Sequence, residues 1–118
     1  MLTSGTESIR TDEVVISVVT AHLKTAHLHE VVDEAIEVLR GEAEEMTGFI
    51  TGHVLVSIDA KKLAIVTKWR DIHAWSASRY DKRVGKMLED CLSNSIVLDF
   101  ELYRGKAHFI GLEAGAGD

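Results

Sequence analysis

Apolar and polar residues alternate along this chain in two distinct periods. From Glu13 to Leu23 the sequence EVVISVVTAHL is β-branched and apolar at both odd and even positions, which predicts a buried strand. Lys24 to Ala26 makes the turn. From Leu28 to Met46 the apolar residues fall at Leu28, Val31, Val32, Ala35, Ile36, Leu39, Ala43 and Met46, with acids opposite. That three-and-four spacing predicts an amphipathic helix, with a late bend where Gly41 weakens it and a stop at Gly48. FITGHVLVSID and LAIVTKWR then read as two strands joined through Ala60, Lys61 and Lys62 as a hairpin. Asp71 is an N-cap for a second helical stretch reaching about Leu92, whose rhythm breaks around Tyr80 to Arg83. The last strand, SIVLDFELYR from Ser95 to Arg104, puts Ile96, Leu98, Phe100 and Leu102 on one face.

The order strand, helix, strand, strand, helix, strand predicts an α+β fold, the ferredoxin-like βαββαβ arrangement with an antiparallel sheet and both helical stretches on one face. Residues 1–12 read as a flexible N-terminal arm, 13–104 as the domain and 105–118 as a glycine-rich tail. Burial then poses a problem. The first strand offers Val14, Ile16 and Val18 to one side and Val15 and Val19 to the other; the second offers Phe49 and Leu55 against Ile50, Val54, Val56 and Ile58. Helices cover one such face, and the other exposes more apolar surface than a soluble monomer usually shows. A second copy is the economical cover, so a homodimer with its sheets packed face to face is expected.

Composition narrows the function classes. At 118 residues, 46% hydrophobic and 27% charged, the chain fits one globular domain. The net charge of −6 resides in the Leu28–Met46 segment, so the protein repels a phosphate backbone and nucleic-acid binding is not expected. No apolar run is long enough to span a membrane and the N-terminus lacks a secretory apolar core, so a cytoplasmic protein is expected. A lone cysteine, Cys91, forms no disulfide within the chain and sits with Met87 and Leu88 as a small core residue. GxGxxG, P-loop, GxSxG and HExxH motifs are absent.

Thr47-Gly48-Phe49-Ile50 at a strand start, a hairpin, LAIVTKW, and then Asp-Ile-His-Ala-Trp opening a helix together resemble the antibiotic-biosynthesis monooxygenase superfamily. The resemblance covers about residues 13–104 in element order and is sharpest from Gly48 to Ser78. It implies a dimeric α+β barrel with a pocket between sheet and helices in each subunit and a tryptophan at the end of the third strand in its wall, the position of Trp69. Members that oxidise aromatic polyketides carry an asparagine and a tyrosine where this chain has Ile65 and Trp75. The haem-degrading branch carries an asparagine and a ligating histidine whose positions fall near Ala21 and Ser78. The tryptophan is therefore kept and its polar partners are replaced.

The residues themselves suggest a chemistry, each with a plainer account beside it. Trp69, in phase with Leu63 and Ile65, is either core packing or a flat wall for an aromatic substrate. Trp75 and Arg79 share a helical face, with Tyr80 adjacent; Arg79 or Tyr80 is placed to hold a phenolate or enolate oxygen, or else Trp75 packs while Arg79 is solvated. His22, in phase with Val18 and Thr20, and His53, in phase with Phe49 and Leu55, are the proposed bases, the alternative being surface or satisfied histidines. His73 falls early in the second helix and faces another way. A metal site from His22, His27 and His29 is disfavoured, because a turn separates them and no acid fixes their geometry.

The leading expectation is a cofactor-independent monooxygenase acting on an aromatic, polyketide-like phenol or anthrone with molecular oxygen. In it His22 or His53 takes a proton, Trp69 and Trp75 hold the ring against Ile65, and Arg79 or Tyr80 holds the oxyanion. A haem-binding enzyme of the same fold, with a histidine as ligand, is one alternative; a non-catalytic small-molecule-binding dimer is the other.

Overall fold

Alternation along the first strand sorts the molecule into two faces. In the computed structural model, which describes residues 13–112, strand β1 spans Val15–Leu23 and buries Val15, Ser17, Val19, Ala21 and Leu23, while the residues between them are half-buried. Helix α1 (Leu28–Gly41), strands β2 (Phe49–Val56) and β3 (Lys62–Trp69), helices α2 (Ile72–Ser78) and α3 (Lys82–Ser93) and strand β4 (Ser95–Arg104) follow in chain order. Every neighbouring pair of strands is antiparallel, in the order β2-β3-β1-β4. β3 thus inserts between β1 and β2, and β1 between β3 and β4, which is the ferredoxin-like topology. The expected arm, residues 1–12, and the end of the tail, residues 113–118, lie outside the described residues.

The helices cover one face of this sheet. Val31, Ala35 and Val38 of α1 and Met87 and Cys91 of α3 close over Val19, Ala21, Leu23, Leu63 and Ile65. Burial pushes the Cys91 thiol up to about 11, so it stays a neutral packing group. Aspartates start both later helices. Asp71 accepts a hydrogen bond from the Ala74 amide at 2.8 Å, and Asp81 accepts from the Arg83 and Val84 amides at 2.9 and 3.0 Å. Arg83 reaches Glu42 at 3.2 Å and ties the start of α3 to the end of α1.

Local irregularities depart from the sequence pattern. α1 ends at Gly41 and a separate 3-10 turn covers Ala43–Glu45, where one long helix to Met46 is expected. The register shifts between Phe49 and Thr51, so Phe49 opposes Trp69 on the helix side while His53 and Leu55 stay on the other face. A bulge is invisible to a two-residue period, and it breaks the expected phase of Phe49 with His53 and Leu55. A second shift, where His22 pairs with Val97 but Leu23 with Ser95, removes Ile96 from the Leu98 face and leaves it 74% exposed.

Gly48 brings β2 and α2 together. Its φ of +87° is one that other residues rarely adopt, its carbonyl accepts from the Arg70 amide at 2.7 Å, and a Cβ there would collide with the Ala74 methyl. This approach seats α2 beside the end of β3 and sets Trp75 near Trp69.

Candidate functional site

Alternation in β1 and β3 directs Ser17, Val19, Ile65, Thr67 and Trp69 to the helix side, and there the packing is incomplete. A cavity of about 50 Å³ lies between these strands, the end of α2 and the Val84–Leu88 face of α3. Its walls are apolar, Ile65 and Met87 among them, and its polar groups are the hydroxyls of Ser17, Thr67 and Ser78 and the Arg79 guanidinium. Trp69 is 3% exposed; its indole N–H donates to Thr67 Oγ1 at 2.9 Å and its ring meets Phe49 edge-on at 5.3 Å. Both contacts fix the indole in the wall.

The mouth is a stack of three side chains. Trp75 and Phe100 lie 5.9 Å apart at 31°, and the Arg79 guanidinium carbon stands 5.4 Å from each ring centroid. The Ser78 hydroxyl donates to the Trp75 carbonyl at 2.6 Å and steadies the last turn of α2, where Arg79 leaves the helix. Among the described residues Arg79 has no ion pair, and it lines both the cavity and the groove outside it. That groove, about 480 Å³, shares Val19, Arg79, Leu88 and Phe100 with the cavity and continues past Glu89 to Leu92 and Leu98.

The structure brings together Trp69, Trp75, Ile65 and Arg79 of the residues singled out from sequence. Tyr80 is 85% exposed and stands outside the wall, because α2 stops at Ser78 and the chain turns toward Asp81. His22 pairs with Lys62 and His53 with Val66, on the face away from the helices; the sheet separates both from the cavity. As bases for a ligand in this subunit's cavity they are out of reach. His27, 3.9 Å from Glu30, and His29 and His73 are exposed on the helical side. Among the described residues, no three His, Cys, Asp or Glu side chains gather as a metal site requires. Three residues were not singled out from sequence: Ser17, Thr67 and Phe100. A small polar residue within the apolar Val15–Val19–Ala21 face was the available signal for Ser17.

The donor set does not suit haem. Among the described residues the cavity wall contains no histidine, cysteinate or tyrosine, and its sulfur is the Met87 thioether, which in haem proteins accompanies a histidine.

No family model matches the chain, and no curated protein is significantly similar to it in sequence. Solved structures do match. Protein SO0527 from Shewanella oneidensis superposes with a TM-score of 0.73 at 15% identity, over 83% of this chain and 95% of that one. A candidate antibiotic biosynthesis monooxygenase from Deinococcus radiodurans gives a TM-score of 0.72 at 16% identity, over 82% and 98%. One of the same description from Nitrosomonas europaea gives 0.69 at 14% identity, over 84% and 95%. At these identities the likeness is one of fold, and the fold is that of proteins carrying the monooxygenase name.

Proposed function

We propose that the protein is a small, cytoplasmic monooxygenase that oxidises a phenolic or enolisable aromatic with molecular oxygen, without a resident metal or flavin. The observation that carries this reading is the Trp75–Arg79–Phe100 stack at the mouth of an apolar cavity walled by Trp69. It offers flat surfaces for a ring and a cation for the oxygen that becomes negative. The names of the structural neighbours support the same reaction class. The enclosed 50 Å³ is far below the roughly 300 Å³ of an ordinary ligand pocket, so a polyketide-like substrate enters by one ring edge and leaves its remainder in the groove.

The chain's part in the reaction is binding and charge placement. A guanidinium beside a phenol oxygen favours the ionised phenolate, and the released proton passes to water in the open groove. Among the described residues the inner wall holds neither carboxylate nor imidazole to take it. The phenolate's ring carbon opposite its oxygen then forms a bond to dioxygen. That carbon loses its proton, the O–O bond breaks, one oxygen remains as a quinone carbonyl and the other leaves as water. One α-naphthol and one dioxygen give one naphthoquinone and one water, so the substrate supplies every electron. An oxygen electrode tests this with purified, chelator-treated protein and α-naphthol. Protein-dependent uptake of one dioxygen per naphthol supports it; uptake no faster than without protein refutes it.

One observation, that among the described residues the inner wall holds no carboxylate or imidazole, favours a second reading, a non-catalytic dimer that holds the aromatic. Saturable binding without oxygen uptake identifies that case. In either reading the second copy covers the open sheet face. Ile16, Val18 and Val66 stand there beside Leu55 and Tyr103, which are 50% and 52% exposed.

A further inference from the structure

Ser17 and Thr67 are direct cross-strand partners on the floor of the cavity. Ser17 is only 5% exposed, yet among the described residues its hydroxyl has no hydrogen-bond partner. Thr67 Oγ1 already accepts the Trp69 indole N–H at 2.9 Å, and among the described residues its own O–H donates to nothing. Among the described residues no fully buried side-chain oxygen or nitrogen lacks a partner, so the unpaired Ser17 hydroxyl is open to the cavity, where it and the Thr67 O–H offer two adjacent donors to an acceptor that enters. Valine or alanine would fill the same strand positions but offer no donor. Where this cavity meets the groove stands Arg79, a cation that forms no ion pair among the described residues.

We infer that Ser17 and Thr67 form a neutral, two-hydroxyl subsite that holds an uncharged carbonyl or hydroxyl oxygen of the ligand. The inference rests on the reading of this cavity as an aromatic-binding site and names the class of aromatic. The preferred ligand carries two oxygen functions at opposite ends, an acidic one held at Arg79 and a neutral one held at the floor. A ring system with one oxygen satisfies the mouth and leaves the floor hydroxyls unpaired, which is how a buried polar pair discriminates. Thr67 acts in two ways, because accepting from Trp69 turns its remaining proton toward other acceptors. Ser17 has no other task and is the specificity-determining residue.

The test is a pair of anaerobic titrations followed by tryptophan fluorescence. One uses α-naphthol; the other uses a dihydroxynaphthalene with its hydroxyls at opposite ends of the ring system. Wild type is expected to bind the diol about 10-fold more tightly, the worth of one good hydrogen bond. In Ser17→Ala that preference falls to about unity, while α-naphthol binds as tightly as to wild type. Ser17→Thr, which keeps a hydroxyl, retains part of the preference. Equal preference in wild type and Ser17→Ala overturns the subsite and leaves the aromatic-binding reading intact. Binding of neither compound to wild type overturns that reading, and the subsite with it.

Discussion

Arg79 stands one helical turn beyond Trp75, with its guanidinium carbon 5.4 Å from the indole centroid, and it holds the same distance to Phe100 of β4. The contact joins α2 to the sheet edge and places a positive charge where an apolar cavity meets solvent. Replacing Arg79 by Gln should weaken α-naphthol binding about 10-fold and leave naphthalene binding unchanged, since only the naphthol has an oxygen to hold. Arg79→Lys should restore less than half of the loss, because an ammonium lacks the planar stacking surface. Fluorescence titrations of the two ligands check both statements.

Gly48 predicts a stability effect remote from any chemistry. Its φ of +87° and the Ala74 methyl in the path of a Cβ make Gly48→Ala strained twice over. The variant should lose about 2 to 4 kcal/mol, read as a lower urea midpoint at unchanged slope. Ala74→Gly in the same chain should recover the steric share of that loss and leave the backbone share.

The helix caps give the protein an acid limit. Backbone donation from the Ala74 amide holds the Asp71 carboxyl below its usual range, and donation from the Val84 amide does the same for Asp81. A carboxyl lowered in the folded state stabilises the fold above its unfolded value, and that contribution disappears as pH falls toward the folded one. Glu34 runs the other way. Burial, helped by Asp90, raises its carboxyl, so its ionised form is a small liability at neutral pH that eases as the pH drops through the raised value. Asp59 and Asp90 are lowered as well, so four lowered carboxyls stand against Glu34, and thermal midpoints should fall steadily below about pH 4. Asp81→Asn should flatten that fall.

How much of this was legible in the sequence differs by residue. Trp75 and Arg79 share a face by spacing alone, and Trp69 follows Ile65 in strand phase; no long-range information is needed to group them. His22 and His53 were correctly phased with Val18 and Leu55, but both faces of these strands are apolar, so phase could not say which face the helices cover. Phe49 was misplaced by a one-residue bulge that leaves no mark on the pattern. Phe100 belongs to the mouth because it pairs with Val19, and Ser17 meets Thr67 across another ladder; both depend on register between strands far apart in sequence.

The uncovered sheet face predicts an assembly. Val18 and Val66 are cross-strand partners near the middle of that face, away from the helices and the cavity. Light scattering at micromolar concentration should report a dimer for wild type and a monomer for Val66→Asp, whose charge would be buried against the second copy. A monomeric wild type would contradict the paired arrangement.

The fate of the oxygen atoms tests the central claim most directly. Purified protein should turn over α-naphthol under isotopically heavy dioxygen, and the mass spectrum of the naphthoquinone should show one heavy oxygen in the new carbonyl, at a yield that falls with Arg79→Gln. A quinone carrying only ordinary oxygen, or a yield equal to that of the protein-free control, would contradict the account.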